Sequence, residues 1–170
     1  SRLTRCPIPY EPARAADVPA RFTGLAPELR ALLEGAAGCS PFLSGLMQRE
    51  ADWLEEALAG APEAALETEL DRLGAVGGAE ALGSELRRAK RRVALLAGLA
   101  DLGGVWPLEA VTGALTRLAD RAVDLALCTL VAAEIRRGKV PGASDADAGT
   151  AAGIVAIAMG KMGAGELNYS

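Results

Sequence analysis

Histidine is absent from this 170-residue chain, and no other gap in its composition excludes as much chemistry. Ser-His-Asp triads, Cys-His pairs and His-ligated zinc sites each need an imidazole, so none can be assembled within these residues. Cysteine is scarce: Cys6, Cys39 and Cys128 are odd in number, widely spaced and never in a C-x-x-C pair. That argues against a disulfide framework or a cysteine-rich metal site and fits a reducing cytoplasm. Aromatic residues make up only 4% of the sequence. No uninterrupted apolar run approaches the roughly 18 residues of a membrane-spanning helix, and the opening SRLTRCPIPYEPAR lacks the apolar core of a signal peptide. The expectation is a cytoplasmic chain that does not enter a membrane.

What is present describes an acidic, core-forming chain, with 22 Asp+Glu against 18 Lys+Arg, a net charge of −4 and 51% hydrophobic residues. At this length folding buries roughly 68–70% of the extended-chain surface, which excludes disorder throughout. The 36 alanines favour helices, because alanine loses no side-chain entropy on entering one. The fold class expected is mainly α.

Residues 1–26 hold Pro7, Pro9, Pro12, Pro19 and Gly24 with few periodic apolar positions, and read as an extended arm. From Pro27, Leu29, Leu32 and Leu33 take helical spacing that ends at Gly35 and Gly38. Ser40 then stands as an N-cap with Pro41 at the first helical position. Phe42, Leu43, Leu46 and Met47 supply the apolar side of this second helix, and Trp53, Leu54, Ala57 and Leu58 that of a continuation ending at Gly60. Pro62 opens the next, with Leu66, Leu70 and Leu73. Two long segments follow: Leu86, Ala89, Val93, Leu96 and Ala100 form one seam, and Leu108, Val111, Leu115, Leu118, Ala122, Leu125 and Thr129 another. The Gly103-Gly104 turn between them predicts an antiparallel pair. Residues 27–138 thus read as a bundle of about five or six helices, and 139–152 as a glycine-rich polar linker. Gly153-Ile154-Val155-Ala156-Ile157-Ala158-Met159 reads as a β-strand buried on both faces, and hence as part of an α/β sheet.

The tail GKMGAGELNYS follows directly. Glycines at 160, 163 and 165 permit close backbone approach, and Lys161 sets a point charge beside the exposed amides, a combination suited to a phosphate or nucleotide. The spacing is neither a Walker loop nor G-x-G-x-x-G. On spacing alone two readings stay open, a phosphate-holding loop and a plain glycine turn leaving a strand.

The string GIVAIAMGKMGAGELNYS resembles the start of the nucleotidyltransferase domain of the bifunctional glutamine synthetase adenylyltransferase/adenylyl-removing family, whose hallmark is an apolar strand, GKxGxxELNxxS and then an Asp-x-Asp pair. Gly160, Lys161, Gly163, Glu166, Leu167, Asn168 and Ser170 fall on that pattern. SPFLSGLMQREADWLEEAL, ELRRAKRRVALLAGLADLGG and PLEAVTGALTRLADRAVDLAL match its helical lead-in more loosely, so the resemblance covers about residues 40–170. It is closer to the N-terminal half, which removes AMP from a tyrosine of glutamine synthetase with inorganic phosphate and releases ADP, than to the half that attaches AMP from ATP. The resemblance implies that residues 153–170 begin a truncated α/β nucleotidyltransferase domain. Gly160, Lys161, Gly163 and Ser170 would hold nucleotide phosphates, and Glu166 and Asn168 would support the loop. It implies Mg²⁺ as cofactor, with the metal-binding aspartates beyond Ser170 and outside this chain, so the chain is expected to be an inactive piece of a longer protein with no catalytic or metal residue of its own. The partners implied are glutamine synthetase, ATP or ADP, phosphate and a PII-type signalling protein. The other class of function weighed is a helical protein-interaction module with a flexible glycine-rich tail; an Asp pair encoded after Ser170 would separate the two.

Arg87, Arg88, Lys90, Arg91 and Arg92 form a basic run. They lie opposite the Leu86-Ala89-Val93 seam, lack interleaved aromatics and sit in an acidic chain, so a solvated or inter-domain salt-bridging face is expected rather than a nucleic-acid site. Glu50, Asp52, Glu55 and Glu56 are expected to circle a surface helix, Trp53 and Trp106 to anchor helix ends, and Cys39 and Cys128 to fill small apolar spaces.

Overall fold

The computed structural model describes residues 2–18, 22 and 24–169. Within them the chain is mainly helical. After a single turn, α1 (Pro12–Ala15), come α2 (Pro27–Cys39), α3 (Pro41–Arg49), α4 (Ala51–Leu58), α5 (Pro62–Gly74), α6 (Ala79–Leu102) and α7 (Leu108–Arg136). A 3₁₀ segment (Asp145–Gly153) and a last helical turn, α8 (Gly160–Gly163), complete the order. Proline opens α2, α3 and α5, where its missing N–H is not needed and its fixed φ suits a helix. Ser40 caps α3 as its position indicates, its Oγ accepting from the Leu43 N–H at 3.2 Å.

α6 lies at the centre because two of its faces are apolar. Leu95 and Leu99 join Leu32, Leu33, Met47 and Leu54 of α2, α3 and α4 in one core. Ala89, Val93, Leu96 and Ala100 join α5 and the first half of α7 in a second, closed at the α6–α7 turn by Trp106. The indole Nε1–H of Trp106 donates to Glu63 Oε1 at 2.8 Å, so this buried ring has its polar atom satisfied. Burial of each leucine stabilises the fold by about 1.5–3 kcal/mol relative to leaving it in water.

Four expectations need correction. Gly35 and Gly38 do not end α2, which runs through both to Cys39. They are there because the N-terminal arm crosses them: a Cβ on Gly35 would lie 1.9 Å from the Pro7 carbonyl oxygen, and one on Gly38 would lie 2.4 Å from Pro9 Cβ. Further along the arm, the Thr4 N–H donates to the Gly103 carbonyl at 3.0 Å. Phe42 is 60% exposed rather than part of the apolar side of α3. Cys39 is exposed, its thiol donating to the Ile8 carbonyl at 3.2 Å.

The basic run is the fourth correction, and only in part, since Arg87 and Lys90 are exposed as expected. Instead of facing solvent or another domain, Arg88, Arg91 and Arg92 bind acidic partners inside the bundle. Glu50, at the start of α4, is buried and accepts from Arg91 Nε at 2.6 Å and Arg92 Nε at 2.9 Å. Glu69 of α5 is 2% exposed and accepts from Arg92 Nη1 at 2.7 Å and Arg72 Nη2 at 2.9 Å, while Arg72 and Arg88 both bond Glu85. The Arg92 guanidinium also lies over the Trp53 ring, 5.2 Å from its centroid. Burial pushes the Glu50 carboxyl up, but hydrogen bonds from Arg92 and Arg91 outweigh it and hold the group below its usual range.

Candidate functional site

The candidate site is launched from the far end of α7. Along residues 121–130 no side chain is fully buried; beyond them Val131 and Ile135 are covered by Ala151 of the 3₁₀ segment. That segment is tied at its start by Asp147, whose Oδ2 accepts from the Ser144 N–H and hydroxyl, each at 2.8 Å. At its end Ala151 (φ 49°) and Ala152 (φ 50°) occupy the left-handed region, a costly choice for residues with a Cβ, held here by the burial of Ala151. This kink turns the chain into the extended run 154–158.

That run is not the buried strand the sequence suggests. It is extended, but among the described residues no strand is assigned and no ladder partner lies beside it; a strand exists only through inter-strand hydrogen bonds. Val155 is 76% and Ile157 84% exposed. Between this run and Val123, Leu127 and Cys128 of α7 lies an open groove of about 440 Å³, with Asp120 and Asp124 giving it negative charge.

The glycine-rich stretch after it is a braced helical turn, Gly160–Gly163. Gly160 takes φ +60°, where other residues are strained. The Ala164 N–H returns to the Gly160 carbonyl at 3.0 Å and the Glu166 N–H to the Lys161 carbonyl at 2.8 Å. Gly163 passes so close to the preceding run that a Cβ would lie 2.6 Å from the Ala158 carbonyl oxygen. Lys161 is exposed and makes no ion pair among the described residues.

Gly160, Lys161 and Gly163 are therefore brought together in one turn, and Glu166 reaches it through its backbone while its side chain faces solvent. Asn168 lies two residues further on, in the exposed tail; Ser170 lies outside the described residues. One residue that sequence reasoning passed over, Thr116, holds the tail to the helices. Thr116 of α7 accepts from the Leu167 N–H at 3.3 Å; Tyr169, half exposed, has its pKa raised to about 12 by partial burial and then by the negative charge of Asp101. The signal for Thr116 was a hydroxyl beside the apolar seam of a long helix. Among the described residues no three His, Cys, Asp or Glu side chains converge as a metal site; the Gly163, Ala164, Gly165 and Glu166 amides close on carbonyls of residues 159–162, and Lys161 is the cation that the turn presents.

The family model for glutamate-ammonia ligase adenylyltransferase matches residues 30–170. The chain belongs to that family. Within the glutamate-ammonia ligase adenylyltransferase family it is 40% identical over 174 residues to the bifunctional glutamine synthetase adenylyltransferase/adenylyl-removing enzyme of Bradyrhizobium sp. (strain BTAi1 / ATCC BAA-1182), an alignment covering 99% of this chain and 17% of that protein. Against the enzyme of the same description from Rhodopseudomonas palustris (strain TIE-1) it is 39% identical over 91% of its length and 16% of the relative's. For Caulobacter vibrioides (strain ATCC 19089 / CIP 103742 / CB 15) the figures are 43%, 77% and 14%. The chain thus spans less than a fifth of the length of these relatives. No solved structure matches it. Among the described residues no helix is long and apolar enough to cross a membrane.

Proposed function

We propose that this chain is the helical lead-in and opening segment of a nucleotidyltransferase that acts on glutamine synthetase, most like the adenylyl-removing half. In this reading residues 1–26 are an arm, 27–138 the lead-in, 139–152 a linker, and 153–170 the start of the nucleotidyltransferase domain. The run 153–159 becomes a strand when another strand pairs with it, since its backbone groups then gain the partners they lack. Gly160, Lys161, Gly163 and Ser170 hold nucleotide phosphates, with Glu166 and Asn168 bracing the turn. The observation that carries this is an exposed lysine, with no ion pair among the described residues, on a glycine-braced turn directly after an extended apolar run. The groove wall bearing Asp120 and Asp124 repels phosphate, which leaves the solvent side of the turn, where Lys161 stands, as its seat.

The transfer is a displacement at phosphorus. A phosphate oxygen bonds to the phosphorus of AMP, the bond to the tyrosyl oxygen breaks, and ADP leaves. The part of this segment is to bind and orient the anion, where preorganised donors oppose its charge. Mg²⁺ in the full-length protein belongs to carboxylates outside the described residues, and the partners in this reading are glutamine synthetase, ATP or ADP, phosphate and a PII-type protein in the cytoplasm. The full-length protein given adenylylated glutamine synthetase and phosphate should release ADP, and the 170-residue chain should release none. Turnover by the isolated chain would contradict the assignment of the metal carboxylates elsewhere.

A further inference from the structure

The glycine turn is internally closed. The bonds from Ala164 to Gly160 and from Glu166 to Lys161, with the contact of Gly163 on Ala158, fix its shape, yet none of them sets where it sits relative to the bundle. Beyond the 3₁₀ segment packed on α7, the turn is fixed to the bundle where the chain leaves it. The Leu167 N–H, part-buried, donates to Thr116 Oγ1 at 3.3 Å, and the same hydroxyl donates to the Thr112 carbonyl at 2.9 Å.

Thr116 is 7% exposed and flanked along α7 by the buried Ala114 and Leu118. At such a position a valine fills the same volume without a hydroxyl to satisfy, and a threonine bonded only to the carbonyl four residues back gains its helix nothing. The hydroxyl is accounted for by its second partner: a backbone N–H withdrawn from water needs an acceptor, and on this face α7 has already used its carbonyls on its own helix. A mid-helix threonine thus offers the tail the one kind of oxygen a helix side can present.

We propose that Thr116 is a positioning residue, whose hydroxyl sets the register of Glu166-Leu167-Asn168 on α7 and through it the placement of Lys161 and the glycine turn toward a nucleoside phosphate. This rests on the nucleotide reading above. The helical hairpin is then the gauge against which the phosphate-holding turn is set, and a substitution buried in α7 alters nucleotide affinity without touching nucleotide.

The test compares Thr116→Val, which removes the acceptor, with Thr116→Ser, which keeps it. Two quantities are read: amide exchange at Leu167 in the 170-residue chain, and the dissociation constant for ADP in the full-length protein. One neutral hydrogen bond corresponds to about fivefold. Thr116→Val should speed exchange at Leu167 about fivefold and weaken ADP binding by a similar factor, with helical circular dichroism unchanged, and Thr116→Ser should restore both. If Thr116→Val melts the helix, Thr116→Ala removes the same acceptor and is read in its place. ADP affinity unchanged in the acceptor-free variant while Lys161→Ala weakens it overturns the role of Thr116 and leaves the nucleotide reading standing. ADP affinity unchanged in both overturns the nucleotide reading, and this inference with it. Equal loss in Thr116→Val and Thr116→Ser also overturns it, because packing rather than the hydroxyl is then at work.

Discussion

The bundle of α2 to α7 and the run Ile154–Met159 are both written in aliphatic residues, and they meet opposite fates. Leu33, Leu54 and Leu95 are 0% exposed, whereas Val155, Ile157 and Met159 are 76%, 84% and 83% exposed. The difference lies in where the partners are. A seam repeating every three or four residues on α6 finds its complement on α5 and α7 within the same chain, while a β-branched run needs a neighbouring strand for its backbone as well as cover for its side chains. Side-chain pattern states what a segment requires; it does not state whether these residues supply it.

That contrast can be broken at both ends. The largest effect is expected from Leu33→Ala, which opens a cavity in a closed core and should lower unfolding free energy by about 2–5 kcal/mol, read as a shift in the urea midpoint with an unchanged slope. A smaller effect is expected on acidification. Glu85 is lowered from its ordinary 4.5 to about 2 by hydrogen bonds from Arg88 and then Arg72. A carboxylate with a depressed pKa contributes its full stability above 4.5 and loses it as pH falls through about 2. Urea midpoints measured across that window should therefore decline, and less steeply in Glu85→Gln than in the parent chain; parallel declines would show that Glu85 is not a contributor. The smallest effect is expected from Val155→Ala, within about 0.5 kcal/mol in the 170-residue chain because the side chain is already in water. A loss as large as that of Leu33→Ala would mean that the run is buried in solution and would erase the contrast.

Much of the bundle was legible because its rules are local. Ser40 and Pro41 announce a helix start, the Ala89-Val93-Leu96 seam announces a buried face, and Gly103 a turn between long helices, each within a window of a few residues. The misreadings came where a distant segment decided the outcome. Gly35 and Gly38 look like a stop, yet they accommodate Pro7 and Pro9 of the arm. Arg91 and Arg92 look like a solvated face, yet Glu50 and Glu69, 19 residues apart in sequence, meet them on neighbouring helices. At the candidate site a turn was readable from the glycines, whereas the seat on Thr116 was not, because it joins residues 51 apart.

The central claim is that Lys161 on its glycine turn holds nucleotide phosphate, and the most direct measurement is calorimetric titration of ADP into the full-length protein and its Lys161→Ala variant. Loss of a charge-assisted contact to phosphate should weaken binding about tenfold or more while the helical circular dichroism stays as it was. Equal affinity in the two proteins would contradict the account.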